Sequence, residues 1–140
     1  MPTISITYVR KMQCHMLSVL QYVKHLSLSG MRLYANQLNM LCVQLSTLKC
    51  LTSLQLGNNV VDLTPRTALD AVCSLMSALP ALRHLDLSDV CLTGCVREVL
   101  NSIISTQLER LELSEQWLGQ QDVAALQQFQ QQNAIIVTLN

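Results

Sequence analysis

The sequence predicts an α/β fold in which short parallel strands and helices alternate along a repeat solenoid. The first observation is a leucine-rich segment that recurs as VKHLSLSGMRL (23–33), LTSLQLGNNVV (51–61), LRHLDLSDVCL (82–92), LERLELSEQWL (108–118) and a shorter copy, AIIVTLN, from 134. The starts of these copies lie 28, 31, 26 and 26 residues apart. The second observation is that apolar side chains recur at helical intervals between the copies. A unit repeated at such a spacing is typical of stacked repeat architectures.

Each copy of the segment predicts a short strand. In KHLSLS and RHLDLS the apolar residues alternate with polar ones, which buries one face of a strand and leaves the other polar. We therefore expect strands near 23–28, 51–56, 82–87, 108–113 and 134–139. Ile4 and Ile6 show the same alternation and suggest a further strand at the start of the chain.

The segments between the copies predict amphipathic helices. Residues 36–48, 67–79, 94–104 and 120–129 carry apolar side chains at intervals of three or four. Crossovers of this length let successive strands run parallel. One strand–helix unit cannot bury its own apolar face, whereas stacked units can. We therefore predict a single domain over residues 1–140, a curved solenoid of about five repeats with strands on the concave face and helices on the convex face.

The four full copies resemble leucine-rich repeats of the ribonuclease-inhibitor-like class, as in NOD-like receptors and PRAME-type ubiquitin-ligase substrate receptors. The resemblance covers roughly residues 20–140. It implies a protein-binding scaffold within a larger cytoplasmic or nuclear protein. One position departs from the family pattern, because the turn residue, usually Asn or Cys, is Met31, Asn59, Val90 and Gln116 here. Since only Asn59 supplies the usual amide, we expect the other turns to be less regular.

Composition narrows the class of protein further. Half of the residues are hydrophobic and 13% are charged, yet no apolar run reaches the roughly 18 uncharged residues of a membrane span, so we expect no membrane contact. The start has no signal-peptide layout, which favours a cytoplasmic or nuclear protein with reduced cysteines. Of the six cysteines only Cys91 and Cys95 are close in sequence. Their spacing does not match a zinc knuckle, so we expect no metal and no cofactor.

The sequence also lacks the motifs of an enzyme. Its four glycines form no phosphate-binding loop, and no nucleophile elbow is present. His84 and Asp86 fall on one strand face within reach of a hydrogen bond, a pair that we interpret as structural. The net charge of zero and the few aromatic residues disfavour nucleic acid as a partner. We expect no catalytic activity and a protein partner.

The outward-pointing strand residues form the predicted binding surface. Aligning the copies gives these candidate protein-binding residues: Lys24, His25, Gln55, Arg83, His84, Asp86, Asp89, Glu109, Arg110, Glu112, Glu115 and Trp117. Bases gather on one side of this surface and acids on the other, which suits a protein partner with both signs of charge. For Trp117 two interpretations stay open, an exposed interface anchor or a ring that packs over the strand end.

Charge distribution and the chain ends keep a second role open. Residues 1–61 carry five basic residues and no acid, whereas residues 62–140 carry nine acids and four bases, giving +5 and −5. Neither end shows a polar cap, which suggests the C-terminal part of a larger protein or ends covered by a second copy. The alternatives to partner binding are therefore a structural or self-assembling segment stacked on other repeats. The family resemblance adds substrate recruitment in a ubiquitin ligase and ligand sensing in an innate immune receptor.

Overall fold

The computed structural model describes residues 3–5, 21–30, 35–59 and 62–140. Within these residues, six parallel strands form one sheet in which sequence neighbours are also sheet neighbours. The strands are β1 (Thr3–Ser5), β2 (His25–Ser27), β3 (Ser53–Gln55), β4 (His84–Asp86), β5 (Arg110–Leu113) and β6 (Ile136–Leu139). The helices are α1 (Ala35–Leu45), α2 (Arg66–Ala78), α3 (Val96–Ile103) and α4 (Gln120–Gln132). The chain therefore has an α/β architecture with a parallel sheet, and β2 to β6 fall within the five predicted strand ranges.

The start of the chain adds one strand to these five. β1 contains Ile4 and pairs in parallel with β2, placing Ile4 opposite Leu26. Ile6 and Met31, for which the sequence predicts a strand and a turn, lie outside the described residues. Among the described residues, no helix combines the length and the apolar character that crossing a bilayer requires.

In each strand from β2 to β5 a leucine points into the core. Leu26, Leu54, Leu85 and Leu111 are at most 1% exposed, while the residues beside the first three of them are half-buried. These leucines join a single hydrophobic cluster with the buried helix residues. One face of the sheet is therefore covered by the helices, as the alternating pattern predicts. We call the other face the open sheet face; its side chains come from His25, Ser27, Ser53, Gln55, His84, Asp86, Arg110, Glu112, Ile136 and Thr138.

The helices form because their apolar residues recur on one side. In α2, Leu69, Val72 and Met76 are at most 3% exposed and lie three or four residues apart. The helix begins after Pro65, whose fixed backbone is extended there, and ends before Leu79. Successive helices pack against one another, α1 on α2, α2 on α3 and α3 on α4. They form the second layer of the fold.

Several helix boundaries differ from the prediction by one to three residues; α4, for example, ends at Gln132 rather than near residue 129. Two of the differences have local reasons. α1 ends at Leu45 rather than near residue 48, because the hydroxyls of Ser46 and Thr47 donate to the carbonyls of Val43 and Gln44. Such side-chain bonds satisfy the last carbonyls of a helix and compete with its continuation. α3 begins at Val96 rather than near residue 94. Gly94 has a φ of 80°, a left-handed conformation that does not belong to a right-handed helix.

The turns after β3 and β5 differ, as the residues at the turn position, Asn59 and Gln116, lead us to expect. Asn59 is 5% exposed, and its Nδ2 donates to the carbonyls of Leu28 (2.9 Å), Leu56 (2.8 Å) and Gly57 (3.2 Å). It therefore ties the turn after β3 to the turn after β2. At the equivalent place after β5 the chain forms a short 3-10 helix, Glu115–Trp117, and Gln116 is exposed.

A buried carboxylate fixes the last helix against its neighbour. Asp122 is 3% exposed, and its Oδ2 accepts hydrogen bonds from the backbone N–H groups of Gly119 and Gly94, each at 2.9 Å. Its Oδ1 lies 3.4 Å from the backbone nitrogen of Val96. One side chain thus satisfies donors at the start of α4 and at the start of α3, groups that a helix leaves unpaired.

Candidate protein-binding surface

Two rows of side chains run across the open sheet face, perpendicular to the strands. The strand register defines the first row as His25, Ser53, His84, Arg110 and Ile136, and the second row as Ser27, Gln55, Asp86, Glu112 and Thr138. This register is the one obtained by aligning the repeated segments. The candidate residues His25, Gln55, His84, Asp86, Arg110 and Glu112 therefore share one surface.

A hydrogen-bonded chain crosses the centre of this surface. His84 Nε2 donates to Glu112 Oε2 at 2.7 Å, and Ser53 Oγ lies 3.5 Å from His84 Nδ1. The side chains of His84 and Glu112 are 28% and 25% exposed, so a partner could reach both. The three residues come from β3, β4 and β5 and link these strands on the open sheet face.

The expected pair of His84 with Asp86 is wrong. Asp86 Oδ1 instead accepts the backbone N–H of Ser88 at 2.8 Å. Side chains two residues apart along one strand, such as His84 and Asp86, are separated by about 6.6 Å, whereas neighbouring strands are only about 4.8 Å apart. Glu112 is opposite Asp86 in the register, but its longer side chain reaches diagonally back to His84.

Further charged candidates lie beside the rows. Arg83 Nε and Glu109 Oε1 are 3.7 Å apart, with side chains 38% and 75% exposed. Exposed pairs of this kind contribute little to folding stability. Within the described residues, Lys24 and Arg110 are exposed and take part in no ion pair. Both cations are therefore available to a partner.

Asp89, another candidate binding residue, takes part in hydrogen bonds between the turns after β4 and β5. Its Oδ1 accepts hydrogen bonds from Gln116 Nε2 at 2.7 Å and from Ser114 Oγ at 3.4 Å. Ser114 Oγ in turn accepts the backbone N–H of Asp89 at 2.7 Å. Asp89 has a φ of 58°, a left-handed conformation that Asp tolerates better than most residues. Part of its role is thus to join the turns after β4 and β5, while Glu115 beside it is exposed.

Trp117 lies on the connection between β5 and α4 rather than in either row. It is the last residue of the 3-10 helix and is 39% exposed. Its carbonyl accepts the hydroxyl of Thr93 at 2.6 Å, which fixes the backbone at this point. The residue is partly accessible, and both of its interpretations stay open.

Ile136 is a surface residue that the candidate binding residues did not include. Aligning the repeated segments places it in the outward column with Arg110, and the structure has it next to Arg110 in the first row, 57% exposed. Its neighbour Val137 is 9% exposed and fills the buried strand position.

The helix side carries a rival concavity. A groove of about 490 Å³ lies between α1 and α2, and its lining includes Cys42, Val43, Ala71 and Leu75. Asn39 also borders this groove, and its Oδ1 is buried with no hydrogen-bond partner among the described residues. The polar residues Ser46, Thr67, Asp70 and Ser74 complete the polar part of the lining.

The thiols near these helices are not activated. Burial raises the pKa of the Cys42 thiol to about 12. Burial also raises the pKa of Cys73, and burial together with the carboxylates of Glu98 and Asp122 raises that of Cys95. A raised pKa keeps a thiol protonated at neutral pH and weakens it as a nucleophile or metal ligand.

Neither the known protein families nor the curated proteins contain a match for this chain.

Proposed function

We propose that this chain is a leucine-rich repeat solenoid that binds a protein partner through the open sheet face, which is then the concave face. The repeated segments coincide with β2 to β5, and a helix follows each of these strands. The observation that carries the proposal is the cluster of charges on β4 and β5 together with the exposed Ile136 beside Arg110 on β6. No element of the described chain covers this cluster.

The composition of the cluster fits a protein interface. Such interfaces combine apolar side chains with polar and charged ones. Ile136 supplies the apolar contact, with Arg110 beside it and Glu112 diagonally next to it. A nucleic acid would require a surface of one sign, because phosphates are uniformly negative. The acids Asp86, Glu109 and Glu112 argue against that class of partner.

The small contribution of these charges to folding stability also supports a role in binding. Ion pairs at a protein surface contribute about 0–1 kcal/mol to stability, so the fold has little need of Arg83 with Glu109. The same charges become selective in a complex, because a partner with mismatched charges leaves them desolvated and unpaired. Charges that cost the fold little and discriminate between partners are suited to recognition.

A charge-reversal variant tests the proposal. The double variant Arg83→Glu and Glu112→Lys reverses one charge of each sign, on the open sheet face at Glu112 and beside it at Arg83, and leaves the net charge unchanged. The matched control is Arg66→Glu and Asp70→Lys, which reverses an exposed ion pair on α2. The tagged wild type and both variants are used for affinity purification with quantitative mass spectrometry.

We expect the open-face variant to lose its partners by at least about tenfold, and the α2 control to retain them. The helix side would be the binding surface if the control lost the partners and the open-face variant kept them. Equal retention by both variants would contradict the proposal.

A further inference from the structure

Charges on the open sheet face are sorted by their position along the strands. In the first row β4 and β5 carry the bases His84 and Arg110, and in the second row they carry the acids Asp86 and Glu112. Ile136, which is 57% exposed, continues the first row on β6. The two rows are two residues of strand apart, or about 6.6 Å. A segment that lies across the strands therefore has bases under one flank and carboxylates under the other.

The sorted charges are not neutralised within the molecule. Arg110 and Asp86 take part in no ion pair among the described residues. The acid beside the first row, Glu109, already has a cation of its own, because its Oε1 lies 3.7 Å from Arg83 Nε. The charges of the two rows are therefore available to the flanks of a partner.

The spacing of the strands is close to the pitch of an α-helix. Neighbouring strands are about 4.8 Å apart and one turn of helix rises about 5.4 Å, so successive turns of a helix laid across the sheet meet successive strands. An extended segment repeats its side chains on one side only about every 6.6 Å, and it falls out of step by nearly one strand spacing over three strands. A helix with its side chains is about 10–12 Å wide, enough to straddle both rows.

We propose that the partner docks an α-helix across β4, β5 and β6. Basic side chains on one flank of this helix lie over Asp86 and Glu112, and an acidic side chain on the other flank lies over Arg110. An apolar side chain one turn further along packs on Ile136. Side chains three or four residues apart share one flank of a helix, so a short segment can carry this pattern. The inference rests on the proposed function, to which it adds the structure and the charge pattern of the bound segment.

Two model peptides test the charge pattern. Both are alanine-rich helices of about 18 residues with blocked ends, because shorter helices are marginal in water. They contain the same lysines, glutamates and leucines and so have the same net charge. In the sorted peptide the lysines occupy one flank and the glutamates the other, whereas in the alternating peptide the two signs alternate along each flank. Circular dichroism verifies that both peptides are helical.

We expect the sorted peptide to bind the full chain at least about tenfold more tightly than the alternating peptide at low salt. The dissociation constants are measured from amide chemical shifts of the isotope-labelled protein, which also map the site. The shifts should change on β4 to β6 and stay constant on α1 and α2. Nonspecific attraction would affect both peptides equally, because their net charges are equal.

Exchanging the two charges on β5 gives the matched protein variant. Arg110→Glu with Glu112→Arg makes the second row alternate in sign, so we expect this variant to bind the alternating peptide more tightly than the sorted one. Arg66→Glu with Asp70→Lys, the exposed pair on α2, is the control and should keep the wild-type preference. If the exchange variant is not folded by circular dichroism, Arg110→Gln should still weaken binding of the sorted peptide by at least about threefold.

Three results would overturn the inference. They are no binding of either peptide, equal binding of both peptides, and a folded exchange variant that keeps the wild-type preference. These failures differ from a failure of the proposed function, because affinity purification with the charge-reversal variant uses intact cellular proteins rather than model helices. Partners lost by that variant, together with peptides that do not discriminate, would mean that the open sheet face binds a structure other than a helix.

Discussion

The β2–β3 half and the β4–β5 half of the open sheet face differ in charge although they share one backbone design. The rows over β2 and β3 consist of His25, Ser27, Ser53 and Gln55, whereas those over β4 and β5 consist of His84, Asp86, Arg110 and Glu112. Both halves pair in the same parallel register and bury one leucine at the middle of each strand. The fold therefore does not depend on charges on this face, because the β2–β3 half forms without them. The charges on β4 and β5 are available for recognition.

The turns of the two halves differ in a related way. In the β2–β3 half the buried amide of Asn59 holds three carbonyls of two turns. In the β4–β5 half the turns are joined by Asp89, Ser114 and Gln116, and Asp89 and Gln116 are exposed. The first half therefore uses its polar side chains internally, while the second half leaves more of them at the surface.

We expect the largest losses of stability from the buried leucines, which both halves have in common. Leu54→Ala on β3 and Leu85→Ala on β4 each empty a core position that is at most 1% exposed. We expect each to lower the free energy of unfolding by about 3 kcal/mol, measured by urea denaturation. His25→Ala, on the open sheet face, is the control and should stay within about 0.5 kcal/mol. A large inequality between the two leucine variants would show that the halves do not share one core.

The second prediction compares the stability that a side chain contributes in the turn after β3 with its contribution in the turn after β5. Asn59→Ala leaves three carbonyls without their side-chain donor, and we expect it to lower the free energy of unfolding by about 2–3 kcal/mol. Gln116→Ala, at the equivalent position after β5, removes one bond between exposed groups and should cost less than about 0.5 kcal/mol. Similar losses from the two variants in urea denaturation would contradict the contrast between the turns.

The smallest expected effect concerns the charges themselves. Glu112→Gln keeps a hydrogen-bond acceptor for His84 but removes the charge, so we expect it to change the free energy of unfolding by less than about 1 kcal/mol. Gln55→Glu makes the reverse change in the uncharged half and should have an equally small effect. A loss well above that from Glu112→Gln would mean that this charge maintains the fold rather than recognition.

The strand pattern was accessible to sequence reasoning because it depends on local alternation. Leu26, Leu54 and Leu85 occupy the buried strand positions, and the register between their strands matches the alignment of the repeated segments. The role of Asn59 also follows from the repeat pattern, because a turn amide at that place has backbone carbonyls within reach.

Contacts between repeats were harder to predict. The bond from His84 to Glu112 depends on the reach of a glutamate across a diagonal, which spacing along one strand does not reveal. Asp122 accepts hydrogen bonds from Gly94 and Val96 of the preceding repeat, whereas an acidic residue near a helix start usually serves its own helix. The outward position of Ile136 did follow from the alignment of the repeats, but its exposed apolar side chain was not counted among the candidate binding residues.

Hydroxyl-radical labelling of the complex shows which face of the molecule binds, because it reports which side chains a captured partner covers. We expect the partner to lower the labelling rates of His84 and Ile136 several-fold, while Met40 on α1, which is 70% exposed, is labelled as before. Protection of Met40 with unchanged labelling of His84 and Ile136 would contradict the claim that the open sheet face binds the partner.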